Sequence, residues 1–122
     1  MQLTPFHLAI QVRDIDEARE FYGNKMGLSE GRSAADWIDF NLFGHQLVTH
    51  LNPQLGKNGK VANISNGVDG HGVPVPHFGV VLNFDDWESL SKTVSAFVDS
   101  FIIEPYIRFK GETCFALESN IR

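Results

Sequence analysis

Two histidines, His7 and His77, stand 70 positions apart, and each opens an apolar run. The first run is Phe6-His7-Leu8-Ala9-Ile10-Gln11-Val12 and the second is Pro76-His77-Phe78-Gly79-Val80-Val81-Leu82. Each run leads into an acidic helix start. A fixed offset between two similar units is the signature of an internal repeat. The chemistry open to such a pair is that of imidazole nitrogen, which suits Fe, Zn, Ni or Mn. A single strand histidine is more often structural than a ligand, but symmetric placement in a repeat sets these two apart. His45 and His71 fall in turn and loop sequence, where solvent exposure is the default. No Ser-His-Asp arrangement, P-loop or Gly-rich dinucleotide fingerprint accompanies them.

The elements that position the pair follow from periodicity. In the first run Leu8, Ile10 and Val12 point to one side of a strand, and His7, Ala9 and Gln11 to the other. The first side suits a helix-covered core; the second is small and polar, like a cavity wall. Asp14 is an N-cap candidate with Glu17 three residues on, a capping box. Ile15, Ala18, Phe21 and Tyr22 recur at helical spacing, and Gly27 supplies a stop, so a helix is expected over about 15–26. Weak strand character runs over 28–35. Ile38, Phe40 and Leu42 alternate with Trp37, Asp39 and Asn41 over a stronger strand, 36–43. Phe43-Gly44-His45 is a short hairpin connection to a further strand at 45–51. The first half therefore reads β-α-β-β-β.

Residues 52–75 carry Gly56, Gly59, Gly67, Gly70 and Gly72 with Pro53 and Pro74, and read as a long linking loop. Such loops are uncommon inside compact domains and often functional; this one reads either as a cover over a site or as a solvent-exposed connector. The pattern then restarts at about residue 76. Phe78, Val80 and Leu82 take the core side of a strand over 77–82. Asp85 and Glu88 suggest a second capping box, with a helix over about 86–99. A strand over 101–109 contains Pro105, and a last strand covers 113–118. The second half reads β-α-β-β, one strand short of the first. The expected organisation is a single domain, 1–122, made of unit one (about 4–51), the loop 52–75 and unit two (about 76–122).

Two such units, each too small to bury its own sheet, pair into an α+β fold: paired βαβββ units forming a curled mixed sheet with a central cavity. At this point the chain resembles the vicinal oxygen chelate superfamily, which includes glyoxalase I, extradiol dioxygenases, and bleomycin- and fosfomycin-resistance proteins. The carrying residues are Phe6 to Val12, then Asp14 through Phe21-Tyr22 to Met26-Gly27-Leu28, and His77-Phe78-Gly79-Val80. The Phe43-Gly44-His45-Gln46-Leu47-Val48 hairpin and Pro74-Val75-Pro76-His77 make it most similar to small predicted dioxygenases of the glyoxalase/extradiol type.

The resemblance implies a divalent metal, held at the first strand of each unit and by a carboxylate on the final strand. The matching positions are His7 and His77. For a dioxygenase the ion would be Fe(II), with Zn, Mn or Ni the other options. The tail Thr113-Cys114-Phe115-Ala116-Leu117-Glu118 matches in two ways. In one, Glu118 is the carboxylate. In the other the ligand strand is absent, the site is incomplete, and His50 is the candidate substitute. The implied activity is a glyoxalase or extradiol-dioxygenase-type reaction on a small molecule with vicinal oxygens. A non-catalytic, drug- or metabolite-sequestering protein on the same fold, or a truncated inactive copy, are the other readings. Fold alone does not choose among them.

Other side chains read more plainly. Trp37, Phe40 and Phe43 either line an aromatic pocket or pack, and aromatics carry much of a small core. Arg108 suits a substrate carboxylate or a surface ion pair. Cys114, the only cysteine, reads as a small apolar filler. It excludes an intrachain disulfide, which fits a reducing compartment. The net charge of −5 leaves no basic surplus for phosphates, so neither nucleic acid nor an anionic membrane is an expected partner. No apolar run approaches a membrane span. Met1 to Pro5 lacks the basic and apolar regions of a signal peptide, so cytoplasm is the expected compartment. A homodimer is the expected assembly if the last strand is missing, since an open sheet edge needs covering.

Overall fold

Leu8, Ile10 and Val12 lie on the more covered side of strand β1 (His7–Val12), and His7, Ala9 and Gln11 on the exposed side, as alternation requires. This strand opens the first of two compact units, Met1–Val61, into which a computed structural model divides the chain; the second runs from Ala62 on. The structure describes residues 1–106.

After β1, Asp14 caps helix α1 (Ile15–Ala18): its carboxylate accepts from the Glu17 backbone N–H at 2.7 Å. The Glu17 side chain does not complete the expected box. It pairs with Arg13 instead, at 2.6 and 2.8 Å. The helix continues as a wider π turn, Arg19–Lys25, so only the first part of 15–26 is α-helical. The Met26 N–H bonds Phe21 O at 2.9 Å, five residues back, which is the π spacing. Gly27 then takes φ +73°, and the Leu28 N–H reaches Tyr22 O at 3.0 Å. That is a left-handed helix stop, where a side chain would be strained.

Strands β2 (Glu30–Ala34), β3 (Trp37–Leu42) and β4 (His45–Leu51) complete the unit. The sheet order is β1-β4-β3-β2, with β1 parallel to β4 and the other pairs antiparallel. Parallel strands need a long crossover, supplied here by everything between β1 and β4. The β3–β4 hairpin turns on Phe43 and Gly44, both at positive φ (52° and 92°). Ile38, Phe40, Leu42, Leu47 and Thr49 meet Ala18 and Tyr22 in the buried core. The Tyr22 and Phe40 rings lie 5.5 Å apart. Full burial of a side chain of this size contributes about 1.5–3 kcal/mol. The same burial raises the Tyr22 phenol pKa above its ordinary value. Buried Thr49 donates its hydroxyl to Ile38 O at 3.3 Å, so it is satisfied.

The second unit departs from the sequence expectation. The stretch 52–75 is not a plain loop. It begins with a single 3₁₀ turn, Pro53–Leu55, and from Ala62 on contains a hairpin of β5 (Ile64–Val68) and β6 (His71–Val75). Asp69 and Gly70 supply two positive-φ residues (50° and 81°), the geometry of a two-residue hairpin turn. The expected strand 77–82 makes no ladder among the described residues. Its alternation survives: Phe78, Val80 and Leu82 are half-buried, while His77, Gly79 and Val81 are exposed. Helix α2 (Phe84–Ser95) starts two residues early and stops short of 99. Its cap is Asn83, not Asp85: the Asn83 side chain accepts from the Asp86 N–H at 2.9 Å and donates to Asp86 Oδ2 at 2.6 Å. The part of the expected strand 101–109 that is described, 101–106, is irregular. The last strand 113–118 lies outside the described residues. No helix among the described residues is long and apolar enough to cross a membrane.

Candidate functional site

The exposed face of the four-stranded sheet carries the polar side chains that alternation placed opposite the core. Register lines them up across three strands. His7 faces Gln46, which faces Asn41. Ala9 faces Val48, which faces Asp39, and Gln11 faces His50, which faces Trp37. Residues diagonal across a strand pair are close enough for long side chains to meet. Gln46 uses that diagonal: its Nε2 donates to Asp39 Oδ2 at 2.8 Å. Its Oε1 lies 2.5 Å from His7 Nδ1.

These contacts assign the protons. An ionised carboxylate only accepts, so the amide nitrogen of Gln46 faces Asp39 and its oxygen faces His7. An amide oxygen also only accepts, so His7 Nδ1 donates. The neutral imidazole then carries its basic lone pair on Nε2. His77, in the second unit, has the same arrangement: its Nδ1 donates to the carbonyl of Pro74 at 2.6 Å. A metal-bound histidine typically donates its second ring N–H to an oxygen acceptor, and both residues meet that condition.

The other histidines do not. The backbone N–H of Phe6 donates to His45 Nδ1 at 2.9 Å, which puts the His45 proton on Nε2. The rings of Phe6 and His45 also meet edge to face, 6.1 Å apart. His45 is therefore half-buried and ties down the start of β1, not the solvent-exposed turn residue its sequence context implies. His71 opens β6, is exposed, and lies 5.2 Å from the Tyr106 ring. His50 shares the face of His7 but stands opposite Gln11, four residues further along, about 13 Å at the strand rise.

A groove of about 370 Å³ borders this network, lined by Ser29, Gly31, Asp39, Asn41, Gly44 and Gln46. Beside it the Arg32 guanidinium lies 5.8 Å from the Trp37 ring centroid. Trp37 therefore belongs to the open face, Phe40 to the core, and Phe43 to an exposed turn. At the far edge, Arg19 grips Glu30 with two hydrogen bonds of 2.9 and 3.2 Å, and these hold the Glu30 carboxyl below its ordinary pKa.

Of the expected ligands, His7 lies in the first unit and His77 in the second. Glu118, Arg108 and Cys114 lie outside the described residues. No group of three metal-ligating side chains forms among the described residues. The donor chemistry of His7 and His77 nonetheless fits a divalent ion: two imidazoles, each with an oxygen acceptor fixed on Nδ1. Gln46 and Asp39 are additions that residue type alone did not flag. The signal available was register, because the Phe43-Gly44 turn pairs Leu42 with His45 and so puts Gln46 diagonal to Asp39.

Known proteins bear on this arrangement. The profile of the Glyoxalase/Bleomycin resistance protein/Dioxygenase superfamily matches residues 4–105. A crystal structure of a glyoxalase/bleomycin resistance protein/dioxygenase from Alicyclobacillus acidocaldarius superposes with a TM-score of 0.65 at 31% identity, covering 88% of this chain and 74% of that one. No curated protein matches significantly. On both the sequence match and the shared fold, the chain belongs to the Glyoxalase/Bleomycin resistance protein/Dioxygenase superfamily.

Proposed function

We propose that the chain is a metal-dependent enzyme of the glyoxalase and extradiol-dioxygenase type, acting on a small molecule with two adjacent oxygens. His7 and His77 ligate through Nε2, and Glu118 supplies the carboxylate. A divalent ion so held, Fe(II) in the dioxygenase case, supplies Lewis acidity toward the substrate oxygens. The observation that carries this reading is the shared hydrogen bonding of the two histidines at Nδ1. Each has an oxygen acceptor fixed on Nδ1, whereas His45 has the reverse. The polar face around His7 and the groove beside Gln46 and Asp39 offer a small molecule hydrogen-bonding groups.

The test is metal content. Purified protein, reconstituted in turn with Fe(II), Mn, Ni and Zn, is expected to hold one ion per chain. The His7→Ala, His77→Ala double variant is expected to hold none. Absence of bound metal in the unsubstituted protein after reconstitution defeats the enzyme reading and leaves the sequestering pocket.

A further inference from the structure

We propose that Gln46 and Asp39 are positioning residues that lock His7 in the Nδ1–H tautomer and thereby set its affinity for a metal; this rests on the metal reading above. The relay crosses β1, β4 and β3 in one line: His7 Nδ1–H to Gln46 Oε1, then Gln46 Nε2–H to Asp39 Oδ2.

Its logic lies in the middle member. A primary amide has a donor end and an acceptor end, and nothing intrinsic to Gln46 decides which faces His7. If the amide nitrogen faced the ring, Nδ1 would accept, the proton would sit on Nε2, and that nitrogen could not ligate. The Asp39 carboxylate removes the choice, because it offers acceptors only. The free imidazole side chain in water favours Nε2–H, so the relay holds His7 against its default. The fold fixes both contacts by register. Gln46 is directly opposite His7 in the parallel pair, and Asp39 sits one diagonal away in the antiparallel pair. His45, one residue before Gln46, shows the contrast. A backbone N–H addresses its Nδ1, and it takes the opposite tautomer.

Asp39→Asn is the informative variant. It keeps size and shape but offers an amide, which can donate or accept. Gln46 is then free to turn, and His7 loses its lock. Gln46→Leu removes the acceptor altogether. The first readout is the nitrogen-15 spectrum of the histidine rings in the metal-free full chain, at a pH of about 8, above the ordinary histidine pKa near 6.5. His7 of the unsubstituted protein should show a protonated Nδ1 and a bare Nε2. Asp39→Asn should show a mixture, and Gln46→Leu a majority of Nε2–H. The second readout is Zn²⁺ affinity by chelator competition, expected to fall about 10–100-fold in both variants, the usual scale for loss of an outer partner.

A purely structural tie would leave the tautomer of His7 unmoved in Asp39→Asn. That result, or an Nε2–H ring in the unsubstituted protein, overturns the proposal. So does a tautomer change with unaltered zinc affinity. Unsubstituted protein with the Nδ1–H ring but no zinc binding overturns the metal reading instead, and reduces the relay to a tie between strands.

Discussion

His7 and His45 begin neighbouring strands, yet they carry their ring protons on opposite nitrogens. His7 Nδ1 donates to Gln46, while His45 Nδ1 accepts from the Phe6 backbone at 2.9 Å. On the metal reading proposed above His7 ligates through Nε2, whereas the His45 ring anchors the chain just before β1. His45→Ala should accordingly leave bound metal at the unsubstituted level, whereas His7→Ala should abolish it. His45→Ala should also lower stability by about 0.5–1.5 kcal/mol, the net worth of one hydrogen bond, because the exposed Phe6 N–H can turn to water. Metal analysis and urea unfolding on the two single variants check both halves. Loss of metal in His45→Ala would overturn the division of labour.

The cap of α2 gives a second prediction. Asn83 accepts from the Asp86 N–H, and Asp85 lies inside the helix. Asn83→Ala should cost about 1 kcal/mol of stability. Asp85→Ala should cost only a few tenths, the loss of one acidic group near a helix N-terminus. Chemical denaturation separates the two; equal effects would return the cap to Asp85.

Strands β3 and β4 show where the sequence was legible. Elements with strict alternation and a clear turn were read almost to the residue: Ile38, Phe40 and Leu42 fixed β3, and Phe43-Gly44 fixed the hairpin into β4. Local patterns sufficed there because both strands bury one face. The β5–β6 hairpin was missed although Asp69-Gly70 is a strong turn signal, since Gly and Pro all around it read as loop. The strand at 77–82 was anticipated from its alternation, but alternation reports which side is covered, not whether a partner strand is paired. The π turn over Arg19–Lys25 left no mark on the apolar spacing, because Ile15, Ala18, Phe21 and Tyr22 satisfy either helix. Among the proposed ligands, His7 and His77 stand out in the sequence through their matching places in the two runs. The Gln46–Asp39 contact follows from the Phe43-Gly44 turn, but the Gln46–His7 contact was not legible, because it depends on the β1–β4 register, a long-range pairing that no local pattern encodes.

The turn that fixes the β3–β4 register carries a cost that can be removed. Phe43 holds φ +52° and is 45% exposed, so an aromatic side chain occupies a left-handed position with little burial in return. That conformation costs a residue with a Cβ about 1–2 kcal/mol. Asn tolerates it, and Asn-Gly is the favoured pair for this turn. Phe43→Asn should raise stability by about 1 kcal/mol, measured as a higher urea midpoint. A lower midpoint would mean that the Phe43 ring contributes more through packing than its backbone costs.

The clip between Arg19 and Glu30 predicts a pH dependence whose sign is fixed. Arg19 hydrogen-bonds Glu30 through Nε and Nη2, and this contact lowers the Glu30 pKa from its ordinary 4.5. A carboxyl with a depressed folded-state pKa binds fewer protons folded than unfolded, so stability rises with pH in that range. The contribution is fully present above the ordinary value and is lost as pH falls through the folded one. Glu30→Gln removes the charge in both states. The gap in urea midpoint between the unsubstituted protein and Glu30→Gln should therefore be widest at about pH 7 and should close on acidification below the ordinary carboxylate pKa. Because the pair is exposed, added salt should narrow the gap at neutral pH as well. A gap that stays constant from neutral to acid pH would show that Glu30 holds the π turn to β2 by shape and neutral hydrogen bonding, not by its charge.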